Sequence, residues 1–296
     1  MGELWQKSAG ELAALIAAGD VSSREVVAAH YDRIAAVNSR VNAVVELLTD
    51  QAFAAADAAD ARRAAGEPLG AFHGVPFTVK TNIDYAGSAT HEGALALKDL
   101  IAPSDAPVVE RMKAAGGIPI GRTNMPDFGL RINTESSLCG PAHNPWDHSR
   151  TVGGSSGGEG AAIATGMSPI GLGNDIGGSV RNPAFANGIA SIKPGFGRIP
   201  AGNESSSINS PVSSQLMLAQ GVLARHVSDV RRGLETVMGA HPRDPFAVDA
   251  PLAGPTAPKR VALVTHPDGG ATHPHIAEGV QRAGVALERA GYVVEE

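Results

Sequence analysis

The sequence predicts an α/β protein whose sheet is buried on both faces. Two observations carry that expectation. Apolar runs of strand length alternate with helix-length segments along much of the chain, and capping residues or glycine mark helix ends. Ser8 followed by Glu11 reads as a capping box, each residue satisfying the other's unpaired N–H, and opens a helix to about residue 18. Ser22 with Glu25 repeats the signal for a helix ending near residue 37. Residues 41–47 read as a strand, and the alanine-rich stretch 50–65 as a third helix closed by Gly66. Further strands are expected at 75–79, 118–120 and 169–172, with helices at 106–115 and 158–165. Residues 204–215 are serine-rich enough for a mobile surface loop. Residues 241–258 are proline-rich without an apolar period and read as an exposed connection. A strand at 260–264, a helix at 275–290 and the start of a strand at 292–294 follow, and there the pattern breaks off.

At 296 residues the chain can hold one large α/β domain or two small ones. Its 24 Lys and Arg against 30 Asp and Glu give a formal net charge of −6, which argues against nucleic acid or an anionic membrane as partner and favours small molecules. The single cysteine, Cys139, cannot close an intramolecular disulfide, and no Cys/His pattern suggests a structural metal, so a reducing, cytoplasmic setting is expected. No stretch approaches the roughly 20 consecutive apolar residues of a membrane helix, and the N-terminus lacks a secretory pattern.

The informative stretch runs over 153–200, where glycines flank Ser155 and Ser179. Glycine beside serine lets the backbone approach a ligand and lets amide N–H groups converge on an anion. A phosphate-binding loop is excluded because no lysine follows Gly157, Gly158 or Gly160 in the required frame. Residues 153–157 satisfy G-x-S-x-G, but the polar, turn-like 144–151 replaces the buried strand that such an elbow needs.

With GVPFTVKTNI (74–83), GRTNMPDFG (121–129), NPWD (144–147) and the long glycine–serine block in order, the chain resembles the amidase signature family over nearly its whole length. The resemblance implies a mixed, twisted central sheet covered by helices on both sides. It also implies a Ser–Ser–Lys triad, here Lys80, Ser155 and Ser179, that hydrolyses a carboxylic amide through an acyl-enzyme on Ser179, with no cofactor and no metal. A serine hydroxyl needs a base within hydrogen-bond reach, and a lysine serves only when neutral, a state that burial favours. Ser155 would relay the proton between Lys80 and Ser179 and deliver it to the departing amine. Backbone N–H groups of Ile176, Gly177, Gly178 and Ser179 would form the oxyanion hole, and Asp175 and Arg181 would buttress the loop as an ion pair. Asn174 departs from the hydroxyl residue that relatives often carry and stays outside the expected site.

The resemblance divides the single domain 1–296 into an N-terminal helical part (1–66), a catalytic core (67–240), a linker (241–258) and a βαβ-like segment (259–296). Relatives are longer, which implies truncation at the C-terminus. Two other readings stand beside the amidase: a glutaminase component of a transamidation complex, and a catalytically weak fragment. A small-molecule amide is the expected partner; a homodimer is compatible with the sequence and not fixed by it. His73, His91, His143 and His148 are expected as loop or surface residues. Cys139 and the tryptophans Trp5 and Trp146 are expected in packing roles, and Glu159 as a charge favoured at a helix start.

Overall fold

The computed structural model describes residues 3–205, 211–254, 259–267 and 270–296. The chain forms two compact units, Met1–Ala250 and Pro251–Glu296, and their boundary falls inside the expected connection.

Both expected capping boxes are present. Glu11 N donates to Ser8 Oγ and Ser8 N to a Glu11 carboxylate oxygen, opening α1 (Ala9–Ala18), and Ser22 with Glu25 opens α2 (Ser23–Val41) in the same way. Helix α2 runs past residue 37 because Asn42 supplies the left-handed terminus, φ 49°, and Asn38 Oδ1 accepts from Ala43 N and Val44 N. The strand expected from 41 therefore begins later, as β1 (Val44–Leu47). Helix α3 (Thr49–Ala64) follows, then β2 (Pro76–Lys80), α4 (Pro107–Ala114), β3 (Ile118–Thr123) and a short hairpin of β4 (Glu135–Ser136) and β5 (Gly140–Pro141). Next come α5 (Gly157–Ala164), β6 (Ile170–Asp175), α6 (Arg181–Asn187), β7 (Ala190–Ile192), α7 (Val212–Met217), β8 (Ala219–Ala224) and α8 (Val227–Val237).

Six of these strands form one sheet in the order β1-β3-β2-β6-β8-β7. The centre, β3-β2-β6, is parallel, whereas β1, β8 and β7 pair antiparallel with their neighbours, so the sheet is mixed. Helices cover both sides. On one, α5 brings its Glu159 against Gly171 of β6; on the other, a Cβ added to Gly233 of α8 would stand 2.7 Å from Val222 Cγ1 and 3.1 Å from Ile170 Cδ1. The core between α2, α3, α5 and β3 is built from Val27, Ile34, Ala56, Ile118, Ile120 and Ala161.

The second unit holds β9 (Arg260–Ala262) and β10 (Val293–Glu295), paired in parallel and joined through α9 (Pro274–Arg289), the expected βαβ arrangement. Gly284 of α9 packs on Leu263 and Val294. The connection departs from expectation over 241–250. Ala247 is buried, Arg243 pairs with Glu110 and Glu204, and Asp244 accepts from Ala201 N, so hydrogen bonds hold a segment that lacks any apolar period. Residues 255–258 of the connection and 206–210 of the serine-rich stretch lie outside the described residues.

Candidate active site

Lys80 is the last residue of β2, Ser179 lies in the turn between β6 and α6, and Ser155 stands in the loop leading into α5. Strands β2 and β6 are parallel neighbours, so their carboxyl ends bring these loops together, the usual place for a site in an α/β sheet. Lys80 Nζ donates to Ser155 Oγ at 2.7 Å and to Asn174 Oδ1 at 2.9 Å. Ser156 N donates to the Ser179 carbonyl at 3.1 Å, joining the two serine loops. The Gly154–Ser155 peptide is cis. Lys80 and Ser155 are buried; Ser179 is half-buried, and no hydrogen bond among the described residues engages its hydroxyl. Gly153, at φ 81°, lies against Pro183 so closely that a Cβ would stand 2.7 Å from its Cα, which is why the first serine loop begins with glycine.

Burial sets the lysine's charge state. Removal from water pushes the Lys80 ammonium down to about 7, while Asp175, Glu159 and Glu92 pull it the other way, leaving a substantial neutral fraction near neutrality. A neutral amine 2.7 Å from a serine hydroxyl can take its proton.

Asp175 organises the loop that carries Ser179. It is fully buried and accepts from Gly178 N at 2.7 Å, from Val180 N at 3.1 Å, and from Arg181 Nε and Nη2 at 3.0 and 2.8 Å. Burial alone would raise its pKa; the Arg181 guanidinium and the backbone donors outweigh that and hold the carboxyl far below its ordinary range. The Gly178 N–H is committed to Asp175, so that glycine anchors the loop, whereas the N–H groups of Ile176, Gly177 and Ser179 have no partner among the described residues.

Several neighbours escaped the sequence reading. Glu159 stands in the first turn of α5, as expected, but its surroundings do more than favour a charge at a helix start. It is fully buried, accepts from Thr123 Oγ1 at 2.6 Å and from Thr78 Oγ1, and burial raises its carboxyl to about 7. Thr78 stands two residues before Lys80 on the same strand, a spacing that could have pointed to it. Asn174 touches Lys80 directly. Arg122, fully buried in the GRTN motif, donates to the carbonyls of Ile83 at 2.7 Å and of Lys80 at 3.4 Å, holding the end of β2. Gly129 lines the site: a Cβ there would be 3.3 Å from Ser155 Oγ.

Other expectations change as well. His73 and His91 are buried, the first bonded to the Ala59 carbonyl at 3.0 Å and the second accepting from Gly93 N at 3.0 Å. His143 is half-buried and His148 exposed. Trp146 is 74% exposed, with its indole N–H on the Asn187 carbonyl and its backbone N–H on Asn144 Oδ1, whereas Trp5 does pack, under Arg33 and against Gly166. Among the described residues no cluster of His, Cys, Asp and Glu could hold a metal ion, and no helix is long and apolar enough to cross a membrane.

The family model described as Amidase matches residues 25–296. An indoleacetamide hydrolase of Bradyrhizobium diazoefficiens is 52% identical over the whole of this chain, which spans 57% of that protein. A glutamyl-tRNA(Gln) amidotransferase component of Salinispora arenicola is 42% identical over 88% of this chain and 52% of its own length. Among solved structures, a 6-aminohexanoate cyclic dimer hydrolase complexed with substrate superposes with a TM-score of 0.86 at 31% identity, covering 99% of this chain and 61% of that one. A bacterial aryl acylamidase of the amidase signature family gives the same score at 30% identity, over 98% and 60%. The chain thus spans little more than half the length of the curated relatives it matches. With its mixed sheet and its lysine–serine pair at the carboxyl edge, the chain belongs to the amidase signature family.

Proposed function

We infer that this protein hydrolyses a carboxylic amide to a carboxylate and ammonia or an amine, through an acyl-enzyme on Ser179. The observation that carries the reading is the fully buried Lys80 amine, 2.7 Å from Ser155 Oγ, beside a loop that presents Ser179 with unengaged N–H groups. Ser179 attacks the carbonyl carbon and its proton passes through Ser155 to Lys80. The N–H groups of Ile176, Gly177 and Ser179 receive the oxyanion, and the proton returns through Ser155 to the leaving nitrogen. Water then cleaves the ester by the same route. Asp175 and Arg181 hold the loop.

An apolar acyl group suits the rim. Phe128, next to Gly129, and Ile176, three residues before the nucleophile, are both exposed. A primary arylacetamide such as indoleacetamide is therefore the proposed substrate, in keeping with the 52% relative. The half-buried, unpaired Cys139 suits the reducing cytoplasm. Lys80, Ser155 and Ser179 come from one chain, so a homodimer is compatible with the reading and not required by it.

The test is intact mass after a fluorophosphonate probe, with Ser179→Ala as control, followed by ammonia release from indoleacetamide and from glutamine. One adduct lost in S179A, with ammonia from the arylacetamide, is expected. Ammonia from glutamine alone would favour the transamidation component; an adduct without turnover would mean a weakly active fragment; no adduct on folded protein would sink the serine-hydrolase reading.

A further inference from the structure

Lys80 has two hydrogen-bond partners, and the second is the unexpected one. Asn174, at the carboxyl end of β6, presents Oδ1 to Lys80 Nζ at 2.9 Å. That amide is itself locked by Asn82, two residues after Lys80. Asn82 Nδ2 donates to Asn174 Oδ1 at 3.1 Å, and Asn174 Nδ2 donates to Asn82 Oδ1 at 3.0 Å. Asn82 is pinned in turn, since its carbonyl accepts from Asn203 Nδ2 at 2.8 Å.

We propose that the reciprocal Asn82–Asn174 amide pair is a positioning device that fixes the lone pair of Lys80 on Ser155. The inference rests on the amidase reading above. An amide pair of this kind has two orientations. In the one present, the lysine meets a carbonyl oxygen, which only accepts, so Asn174 occupies an N–H of Lys80 and never its lone pair. In the other, the amide NH2 would meet the amine. It would repel the ammonium and, once the lysine is neutral, would compete with Ser155 for the lone pair. A hydroxyl at position 174 could donate or accept and would not enforce the choice. Lys80 Nζ, donating to Asn174 Oδ1 at 2.9 Å, selects the orientation present, and the reciprocal bonds to Asn82 keep the Asn174 amide from turning over alone, which leaves the base pointed at Ser155, 2.7 Å away.

The acid limb of the pH profile for fluorophosphonate labelling reports Lys80, because only the neutral amine accepts a proton. Three carboxylates also face that amine: Asp175 from β6, Glu159 from α5 and Glu92 from the loop after β2, and all three are retained in the variants. Asn174→Asp puts a fourth carboxylate against the ammonium and should move the limb up by roughly 1–3 pH units. Asn174→Ala removes an acceptor from the charged form and should move it down. Asn82→Ala leaves position 174 intact but unlocked, and should slow labelling about five- to tenfold, the worth of one side-chain hydrogen bond. A structural role alone would lower the rate in all three without moving the limb in opposite directions. The proposal is overturned if N174D and N174A leave the limb in place or shift it the same way, or if N82A labels at the wild-type rate. Should N174D not fold, as read by circular dichroism, the downward shift in N174A and the slowing in N82A still decide. Absence of labelling in the wild type would instead refute the hydrolase reading itself.

Discussion

Replacing Gly171 with alanine tests the buried carboxyl beneath the site. A Cβ at this position of β6 would stand 1.7 Å from Glu159 Oε1 and 2.4 Å from its Cδ. The obstacle cannot step aside, because Glu159 is fully buried and hydrogen-bonded by Thr78 of β2 and Thr123 of β3. β6 cannot move either, since it lies between β2 and β8. Overpacking of this kind costs about 1–3 kcal/mol. Breaking one hydrogen bond to the carboxyl adds about 1.5–3 kcal/mol, and the usual advantage of alanine over glycine in a strand returns about 0.5–1 kcal/mol. The expected net loss is about 3 kcal/mol, or roughly 6–12 °C in melting temperature for a unit of this size. Thermal and urea denaturation of the wild type, G171A, E159A and the double variant form a cycle in which the methyl should cost under about 0.5 kcal/mol once the carboxyl is gone. A G171A protein that melts within about 2 °C of the wild type, or an equal cost in both backgrounds, would refute the reasoning.

Labelling of Ser179 should accelerate as pH rises through about 7, because burial lowers the Lys80 ammonium and the deprotonated amine is the proton acceptor; a rate flat between pH 6 and 9 would contradict it. Asp175→Asn removes the carboxylate charge and replaces one of the two acceptor oxygens shared by Gly178, Val180 and Arg181 with an NH2 donor facing their N–H groups. Arg181 is 55% exposed and its share is screened, so about 1–3 kcal/mol of stability should be lost, together with a tenfold or greater fall in labelling rate, followed by urea denaturation and mass spectrometry. Ser22→Ala should cost about 1 kcal/mol through the lost cap of α2 and leave labelling unchanged, which separates stability from chemistry in the same two assays.

What could be read from the sequence was whatever is local. The capping boxes at Ser8 and Ser22, the alternation through β3, and the βαβ pattern of the second unit depend on near neighbours and appear where expected. The region after β6 was harder. Strand β8 is Ala-Gln-Gly-Val-Leu-Ala, buried at every position, so it shows no period of two and its glycine reads as a turn. Helix α8 follows His226, which gives it no side-chain cap, and contains Gly233, which close packing on Val222 demands and which a propensity argument counts against a helix. At the site, Lys80, Ser155 and Ser179 were named through motif resemblance. Asn174 and Glu159 were missed because their roles depend on residues 94 and 81 positions away in the chain.

The contrast between a buried lysine–serine pair and a half-buried Ser179 separates two kinds of accessibility. Ser179 is partly open to solvent and the nearby Ile176 is exposed, while Lys80 lies behind Ser155 in the interior. On the proposed amidase reading, changes at Phe128 and Ile176 should alter which acyl group is admitted without touching the burial that leaves Lys80 partly neutral near pH 7. Selectivity can drift on the surface of such a protein while its proton circuit stays constant, so a panel of rim variants should differ in substrate preference yet share a single pH profile.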